Sequence, residues 1–363
     1  MNELKISERD KIKVLFLMNG GLGDTCHAVP ILFALKKKYP FIQFEHTFSS
    51  RYAESFFKLF FPDTDSIITS EIIGIKKKCA QLLKWRKKSF DYVVSGAHLY
   101  SSKTSIIACC ISAKISIGIK DEKFSFLYDV RLPALDTKNY HERYASLFNY
   151  LGLDRTDIEY GEIVFSEELK KIAQNNIKID LWQQRDSLQI AFVNGADTIV
   201  RGKWKPSLKR IPKPQLFDIF KKLKENIRTK FIILGTAKDP FPDEIIKDRN
   251  VLDIRGKTSL QDLISILRNI DLLICNDTAA LHLAYYCGTH YIGIFGPTDS
   301  EQFAPERTRL NIIQANGNCS SCYPRPTCNL NYCMILSALD VDQILSRVRY
   351  IFEQNPSWAR FYL

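Results

Sequence analysis

Residues 13–40 read KVLFLMNGGLGDTCHAVPILFALKKKYP, and this stretch decides the fold of the first half of the chain. The apolar run at 13–18 leads directly into a glycine-rich turn, which is typical of a buried strand that ends in a tight loop. From Asp24 onwards, apolar residues recur at helical spacing until Pro40, where we expect the helix to end. The stretch therefore predicts a strand, a glycine loop and a helix.

The same alternation continues outward from this unit. Strands are predicted at residues 42–46, 66–69, 91–95 and 115–119, and again at 189–193, 231–234, 272–275 and 291–295. Helical stretches separate them, and such alternation predicts parallel sheets covered by helices on both faces. We therefore expect an α/β protein with two Rossmann-like domains whose parallel sheets face each other across a cleft.

The domain boundaries are placed where the periodic pattern dissolves, between about residues 167 and 187. We expect an N-terminal domain over 1–180, a C-terminal domain over 187–335 with a Cys-rich loop at 319–333, and a closing helix within 336–363. A chain of 363 residues is also longer than one hydrophobic core usually supports.

The chain carries a formal net charge of +11, and its acid-free basic stretches cover residues 76–88 and 201–213. They are either solvated surfaces or contacts to phosphate-bearing partners. No nucleic-acid motif accompanies them, so no nucleic-acid partner is expected. No apolar run reaches the ~18 residues of a membrane span. We expect a cytoplasmic protein that can contact the inner face of the cytoplasmic membrane.

The glycine loop contains Gly20, Gly21 and Gly23, which let the backbone turn sharply and approach a ligand. Asp24 follows, at the expected N-cap of the helix, and capping alone would explain an aspartate there. A carboxylate at this edge of a sheet also suits a general base that takes a proton from a hydroxyl. Both interpretations of Asp24 stay open on the residues alone.

A second polar segment follows the strand at 272–275. Asp277 and Thr278 are expected to cap the next helix, and His282 lies one turn further on the same face. Free N–H groups at such a helix start suit the diphosphate of an activated sugar. Gly296 and Thr298 follow the next strand and are assigned to the same donor site. A purely structural role for the histidine is the alternative.

Four cysteines cluster near the C-terminus, at Cys319, Cys322, Cys328 and Cys333. Four thiolates suit a tetrahedral zinc or iron ion, and thiols on a surface loop are the alternative. We assign such a metal a structural role, and we expect no cofactor for catalysis.

Residues 20–30 (GGLGDTCHAVP) resemble the N-terminal signature of glycosyltransferase family 9, the ADP-heptose:lipopolysaccharide heptosyltransferases. Residues 276–282 (NDTAALH) and 295–299 (FGPTD) resemble the donor-site signature of that family. The resemblance implies a GT-B fold and a metal-independent, inverting transfer of heptose from ADP-heptose. It implies that Asp24 is the catalytic base.

The resemblance further implies that Asp277, Thr278 and His282 bind the donor, together with a lysine that contacts its phosphate. Lys209, which precedes an Arg-Ile-Pro sequence, is preferred for that lysine, and Lys203 is the alternative. Ala279 replaces the family's usual glycine, and no glutamate after the strand at 231–234 matches the one expected at the donor ribose.

The implied acceptor is an anionic glycolipid, the inner core of lipopolysaccharide. A protein of the autotransporter class is the alternative acceptor, since a branch of the family that glycosylates such proteins holds iron with a similar cysteine cluster. A non-catalytic nucleotide-sugar binding protein is the alternative outside the enzymes.

Overall fold

The computed structural model describes residues 11–95, 102–120, 124–133, 140–158, 186–196, 206–305, 311–317, 319, 330 and 332–361. The chain divides into two compact units, Met1–Val164 and Phe165–Leu363. Most of the junction expected at 167–187 lies outside the described residues. In the described part of the chain, no helix combines the length and hydrophobicity that crossing a membrane requires.

Within its described residues, the N-terminal unit contains a parallel sheet of six strands in the order β3-β2-β1-β4-β5-β6. Its strands are β1 (Lys13–Gly20), β2 (Gln43–Phe48), β3 (Asp65–Ile68), β4 (Tyr92–Ser95), β5 (Ile115–Ile119) and β6 (Val130–Leu132). Its helices are α1 (Leu22–Lys38), α2 (Arg51–Lys58), α3 (Ile75–Lys87), α4 (Ser102–Ile111) and α5 (Tyr140–Asn149).

In the part of the C-terminal unit that the structure describes, a second parallel sheet has six strands, in the order β12-β11-β10-β7-β8-β9. Its strands are β7 (Leu188–Val193), β8 (Thr229–Leu234), β9 (Val251–Asp253), β10 (Leu272–Asn276), β11 (His290–Phe295) and β12 (Ile312–Gln314). Its helices are α6 (Lys213–Asn226), α7 (Asp243–Ile246), α8 (Leu260–Asn269), α9 (Ala279–Cys287), α10 (Ser300–Phe303), α11 (Met334–Ser337) and α12 (Val341–Glu353).

Both sheets follow the same doubly wound order, because β7 to β12 repeat the arrangement of β1 to β6. In each sheet the chain reverses its direction of winding between the first and fourth strands. Ligands of such sheets bind beyond the carboxyl ends of the strands that flank this switch point. The ends of β1 and β4, and those of β7 and β10, are therefore the places to look for function.

Strand β1 shows why the apolar runs are continuous rather than alternating. Leu15 and Leu17 point to one face and pack in a cluster with Trp85 of α3. Phe16 points to the other face, where its ring lies 5.2 Å from that of Phe148 in α5. Because helices cover both faces, every position from Val14 to Met18 is apolar.

The α/β class with parallel sheets is confirmed. The sequence missed β6, β9 and β12, which are edge strands of three residues each, too short to show a pattern of their own. Strand β1 also continues to Gly20, beyond the apolar run that predicted it.

Candidate functional site

The glycine loop joins β1 to α1 at the switch point of the N-terminal sheet. Helix α1 begins at Leu22, and Gly21 is its N-cap with an extended backbone (φ −78°, ψ −169°). The prediction that Asp24 is the N-cap is therefore wrong, because Leu22 and Gly23 already belong to the helix. Asp24 instead occupies the third helical position, and its Oδ2 accepts a hydrogen bond of 2.7 Å from the Gly21 N–H.

Gly20 sets the position of the Asp24 side chain. A Cβ at Gly20 would lie only 2.2 Å from the Asp24 Cβ, whereas a Cβ at Gly21 would meet nothing closer than the Asp24 Oδ2 at 3.8 Å. The aspartate thus fits only because residue 20 has no side chain. Asp24 itself is partly exposed.

The neighbouring strand supports the loop. The Ser49 hydroxyl donates to the Gly20 carbonyl oxygen over 2.7 Å, and the Ser49 N–H donates to the same oxygen over 3.1 Å. One turn beyond Asp24, His27 is buried and stacks on Tyr144, with ring centroids 6.4 Å apart. The loop therefore presents a carboxylate, held by backbone, at an edge where a hydroxyl can approach it.

Asp277 is the centre of the polar cluster in the C-terminal unit. Its Oδ2 lies 2.7 Å from the Lys209 Nζ and accepts a hydrogen bond of 2.8 Å from the Thr298 hydroxyl. Burial works against ionisation of this carboxyl, yet the charge and hydrogen bond of Lys209 hold its pKa below the ordinary value. The carboxylate stays ionised and fixes the ammonium group at the end of β10.

The cap of α9 lies where it was expected, but the expected capping hydrogen bond is absent. Thr278 occupies the N-cap position, but its side chain makes no capping hydrogen bond. Asp277 turns its carboxylate towards Lys209 instead, since a buried charge gains more from a cation than from a backbone N–H. His282 is buried in α9, and its charge also acts to lower the pKa of Asp277.

Two buried asparagines hold the backbone around Lys209. The Asn276 Nδ2 donates to the Gly195 carbonyl oxygen at 2.6 Å and to the Lys209 carbonyl oxygen at 3.0 Å. The Asn194 amide forms hydrogen bonds with both the N–H (2.8 Å) and the carbonyl (3.0 Å) of Ile211. Residues 209–211 are thus fixed on both sides by the ends of β7 and β10.

The asparagine contacts were not predicted. The available signal was that each asparagine stands at the end of a central strand, Asn276 as the last residue of β10 and Asn194 directly after β7. Their residue type and their position at strand ends indicate that the two asparagines are candidate site residues. Only the fold shows that both amides form hydrogen bonds to the segment that carries Lys209.

Asp239 is the carboxylate that follows β8, where the resemblance calls for a glutamate. It is buried, and its Oδ1 lies 3.0 Å from the Arg210 Nη2. Its Oδ2 accepts a hydrogen bond of 2.7 Å from the Thr236 N–H. These contacts tie the loop after β8 to the neighbour of Lys209.

Gly296 has a packing role. A Cβ there would lie 2.4 Å from the Cγ of Leu336 in the core, so only glycine fits between β11 and α11. The Gly296 carbonyl oxygen accepts a hydrogen bond of 3.1 Å from the Gln314 Nε2. Thr298, by contrast, joins the cluster directly through Asp277.

The remaining candidates are only partly within the described residues. Cys319 is exposed and Cys333 is buried at the start of α11, whereas Cys322, Cys328 and Lys203 lie outside. Across the described ranges, no group of three or more metal-binding side chains is found.

Comparison with known proteins gives this geometry a context. Lipopolysaccharide heptosyltransferase 1 of Campylobacter coli is 25% identical over 362 residues, which covers 94% of this chain and 99% of that relative. The solved structure of E. coli heptosyltransferase WaaC with ADP superposes with a TM-score of 0.65 at 15% identity, covering 94% of this chain and 100% of the other.

A third similar protein is the iron-containing dodecameric glycosyltransferase TibC from enterotoxigenic E. coli. Its TM-score is 0.56 at 10% identity, and the match covers 95% of this chain and 76% of TibC. At such identities the solved structures show the fold, which is of the GT-B type. The sequence model of glycosyltransferase family 9 (heptosyltransferase) matches residues 82–333, well over half of the chain, and the protein belongs to that family.

Proposed function

We propose that the protein transfers a heptose from ADP-heptose to a hydroxyl group of the lipopolysaccharide inner core, at the cytoplasmic face of the membrane, with inversion at the anomeric carbon. The single observation that carries the proposal is the Asp277 cluster at the switch point of the C-terminal sheet. There a buried carboxylate holds the Lys209 ammonium at the edge where such sheets bind ligands.

The donor is assigned to the C-terminal unit. Lys209 meets the diphosphate, and Thr278 and His282 lie on the adjoining helix. As the bond between the sugar C1 and the phosphate oxygen breaks, negative charge grows on the departing ADP. A fixed ammonium group stabilises that charge without having to reorganise. The choice of ADP draws support from the WaaC structure, which contains ADP.

The acceptor step is assigned to Asp24. The acceptor oxygen forms a bond to C1 on the face opposite the departing phosphate, which inverts the anomeric configuration. Its proton passes to the Asp24 carboxylate, whose position is set by the Gly21 N–H and by the absence of a side chain at Gly20. A positioned base of this kind contributes ~10² to 10⁴ in rate. No metal is assigned to this chemistry.

The test compares Asp24→Ala and Asp24→Asn with the wild-type protein in an ADP-release assay with heptose-free lipopolysaccharide as acceptor. Both variants should lose roughly 10²-fold or more in kcat, while ADP still stabilises them against heat as it does the wild type. Wild-type turnover by Asp24→Ala would refute the base assignment. Loss of activity on adding a chelator, with the thermal stability of the protein unchanged, would refute metal-independent catalysis.

A protein acceptor is the second candidate, and the similarity to TibC is the observation that favours it. Parallel assays with heptose-free lipopolysaccharide and with an autotransporter passenger domain separate the two acceptors. Absence of transfer to either, together with normal ADP-heptose binding, would instead identify a non-catalytic binding protein.

We also propose that the four cysteines at 319–333 hold a structural zinc or iron ion. The donor set supports it, since four thiolates suit both metals in tetrahedral geometry. Metal analysis of the purified protein should find about one ion per chain, and Cys319→Ser should lower both metal content and thermal stability. A metal-free protein with unchanged stability would overturn this proposal.

A further inference from the structure

The first half of helix α3 projects from the N-terminal unit. All residues from 75 to 80 are exposed. Ile73 and Ile75 are 75% and 78% exposed, and Leu83 is 60% exposed. The helix contains no acidic residue. We call residues 73–84 the α3 tip. Large apolar side chains that are exposed together beside lysines form a surface that a partner can cover.

The C-terminal end of α3 is firmly anchored, so the α3 tip is held in place. Trp85 is buried, and its Nε1 donates to Glu45 Oε1 over 2.7 Å. Lys88 forms ion pairs with Glu45 and with Asp65. Lys88 is thus bound to the protein, whereas the lysines of the α3 tip face solvent.

Helical spacing gives the exposed surface one apolar line, with lysines both beside it and on the opposite side of the helix. Ile75 and Leu83 lie on one side, with Cys79 between them at intervals of four residues. Lys76 and Lys87 follow within the next quarter turn. An apolar line among basic side chains, on a helix of low mean hydropathy, suits contact with the interface of an anionic bilayer.

The α3 tip also lies at the sheet edge that carries Asp24. Strand β3 ends there, and the Thr69 hydroxyl in the following turn donates to the Phe48 carbonyl oxygen over 3.0 Å. The next residue, Ser49, donates to the Gly20 carbonyl oxygen over 2.7 Å. Since adjacent strands lie about 4.8 Å apart, β3 ends roughly 10 Å from β1.

We infer that the α3 tip is a membrane-contact surface. Ile73, Ile75 and Leu83 enter the boundary between headgroups and acyl chains, and the lysines bind the phosphates of anionic lipids. This contact brings the edge with Asp24 to the level of a glycolipid's sugars. The benefit to catalysis rests on the proposed function, but membrane binding itself does not depend on it.

The test measures co-sedimentation of the full chain with vesicles of phosphatidylcholine, with and without phosphatidylglycerol as a major component. A charge variant carries Lys76→Gln, Lys77→Gln and Lys78→Gln, and an apolar variant carries Ile73→Ser and Ile75→Ser. Each lysine near an anionic surface strengthens binding about fivefold, so the charge variant should bind roughly 100-fold more weakly. The apolar variant should lose about tenfold.

The matched control removes the same charge elsewhere, with Lys221→Gln, Lys247→Gln and Lys257→Gln on exposed positions of the C-terminal unit. This control should bind vesicles like the wild type. If it binds as weakly as the charge variant, net charge alone is responsible and the inference fails. Equal binding of the wild type to neutral and anionic vesicles also overturns it.

A soluble partner is the remaining alternative. If a dissolved polyphosphate competes fully and the apolar variant binds vesicles normally, the α3 tip recognises a dissolved anion rather than a membrane. For activity, the tip variants should keep kcat/KM on a deacylated, water-soluble acceptor and lose it on a vesicle-embedded one. No activity on either acceptor would refute the proposed function. The co-sedimentation result would still decide whether the α3 tip binds membranes.

Discussion

Replacing Gly20 with alanine tests whether the glycine loop exists to place Asp24. The new Cβ would lie 2.2 Å from the Asp24 Cβ, while ordinary contact begins at 3.4 Å, so the two carbons must separate by 1.2 Å. A misplacement of about 1 Å in a reacting group costs on the order of 100-fold in rate. Gly20→Ala should therefore lower kcat roughly 100-fold and destabilise the fold by about 1–3 kcal/mol.

Gly21→Ala is the matched control, because a Cβ there meets its nearest atom at 3.8 Å and the backbone is extended. It should stay within about 1 kcal/mol of the wild-type stability and keep its kcat. Steady-state ADP release and urea unfolding give both quantities. Adding Gly20→Ala to Asp24→Ala should cost little further activity. If Gly20→Ala keeps wild-type kcat, or Gly21→Ala falls as far, the loop does not act through Asp24.

Three further outcomes are expected. Asn276→Asp sets a carboxylate against two carbonyl oxygens and should weaken ADP binding at least tenfold, a cost of about 1.4 kcal/mol or more. The control Asn269→Asp loses one amide hydrogen bond at the other edge of the sheet and should bind ADP like the wild type. Calorimetric titration measures both affinities. Lys209→Met leaves the buried Asp277 carboxylate unpaired, so it should destabilise the protein by up to about 3–5 kcal/mol in urea unfolding, and Asp277→Asn should restore much of that loss. Burial lowers the pKa of His46 from 6.5 to about 3. Between pH 6.5 and about 3, His46 is therefore protonated in the unfolded chain but not in the folded protein, and the free energy of unfolding falls by about 1.4 kcal/mol for each pH unit of acidification. In His46→Phe, the free energy of unfolding should fall less steeply as the pH is lowered. An unchanged dependence on pH would contradict this role of His46.

The central strands were predictable because burial on both faces requires a continuous run of apolar residues. Strands β1, β7 and β10 are mainly apolar runs that end in, or lead directly into, Gly or Asn, and each is long enough to be recognised from its own residues. The edge strands β6 and β9 are short and half covered, so their pairing is decided by the rest of the sheet rather than by their own residues.

The site was predictable as a set of residues but not as a set of contacts. The sequence places Asp277 at a strand end, where capping is the local expectation, because a local reading cannot include Lys209, which lies 68 positions earlier. The ion pair between them arises from the strand order, which brings the ends of β7 and β10 side by side. An ion pair between residues so far apart in the sequence can be predicted only once the strand order of the sheet is known.

The contrast between Asp24 and Asp277 follows from their surroundings. Both follow a strand at the switch point of a doubly wound sheet. Asp277 is buried against an ammonium and a hydroxyl, which hold its pKa below the ordinary value, and a carboxylate so stabilised is a poor proton acceptor. Asp24 is partly exposed and receives a backbone N–H, so an incoming hydroxyl can reach it. The same residue type, after the first strand of one sheet and after the fourth strand of the other, thus serves the C-terminal unit by holding a cation and the N-terminal unit, as we propose, by accepting a proton.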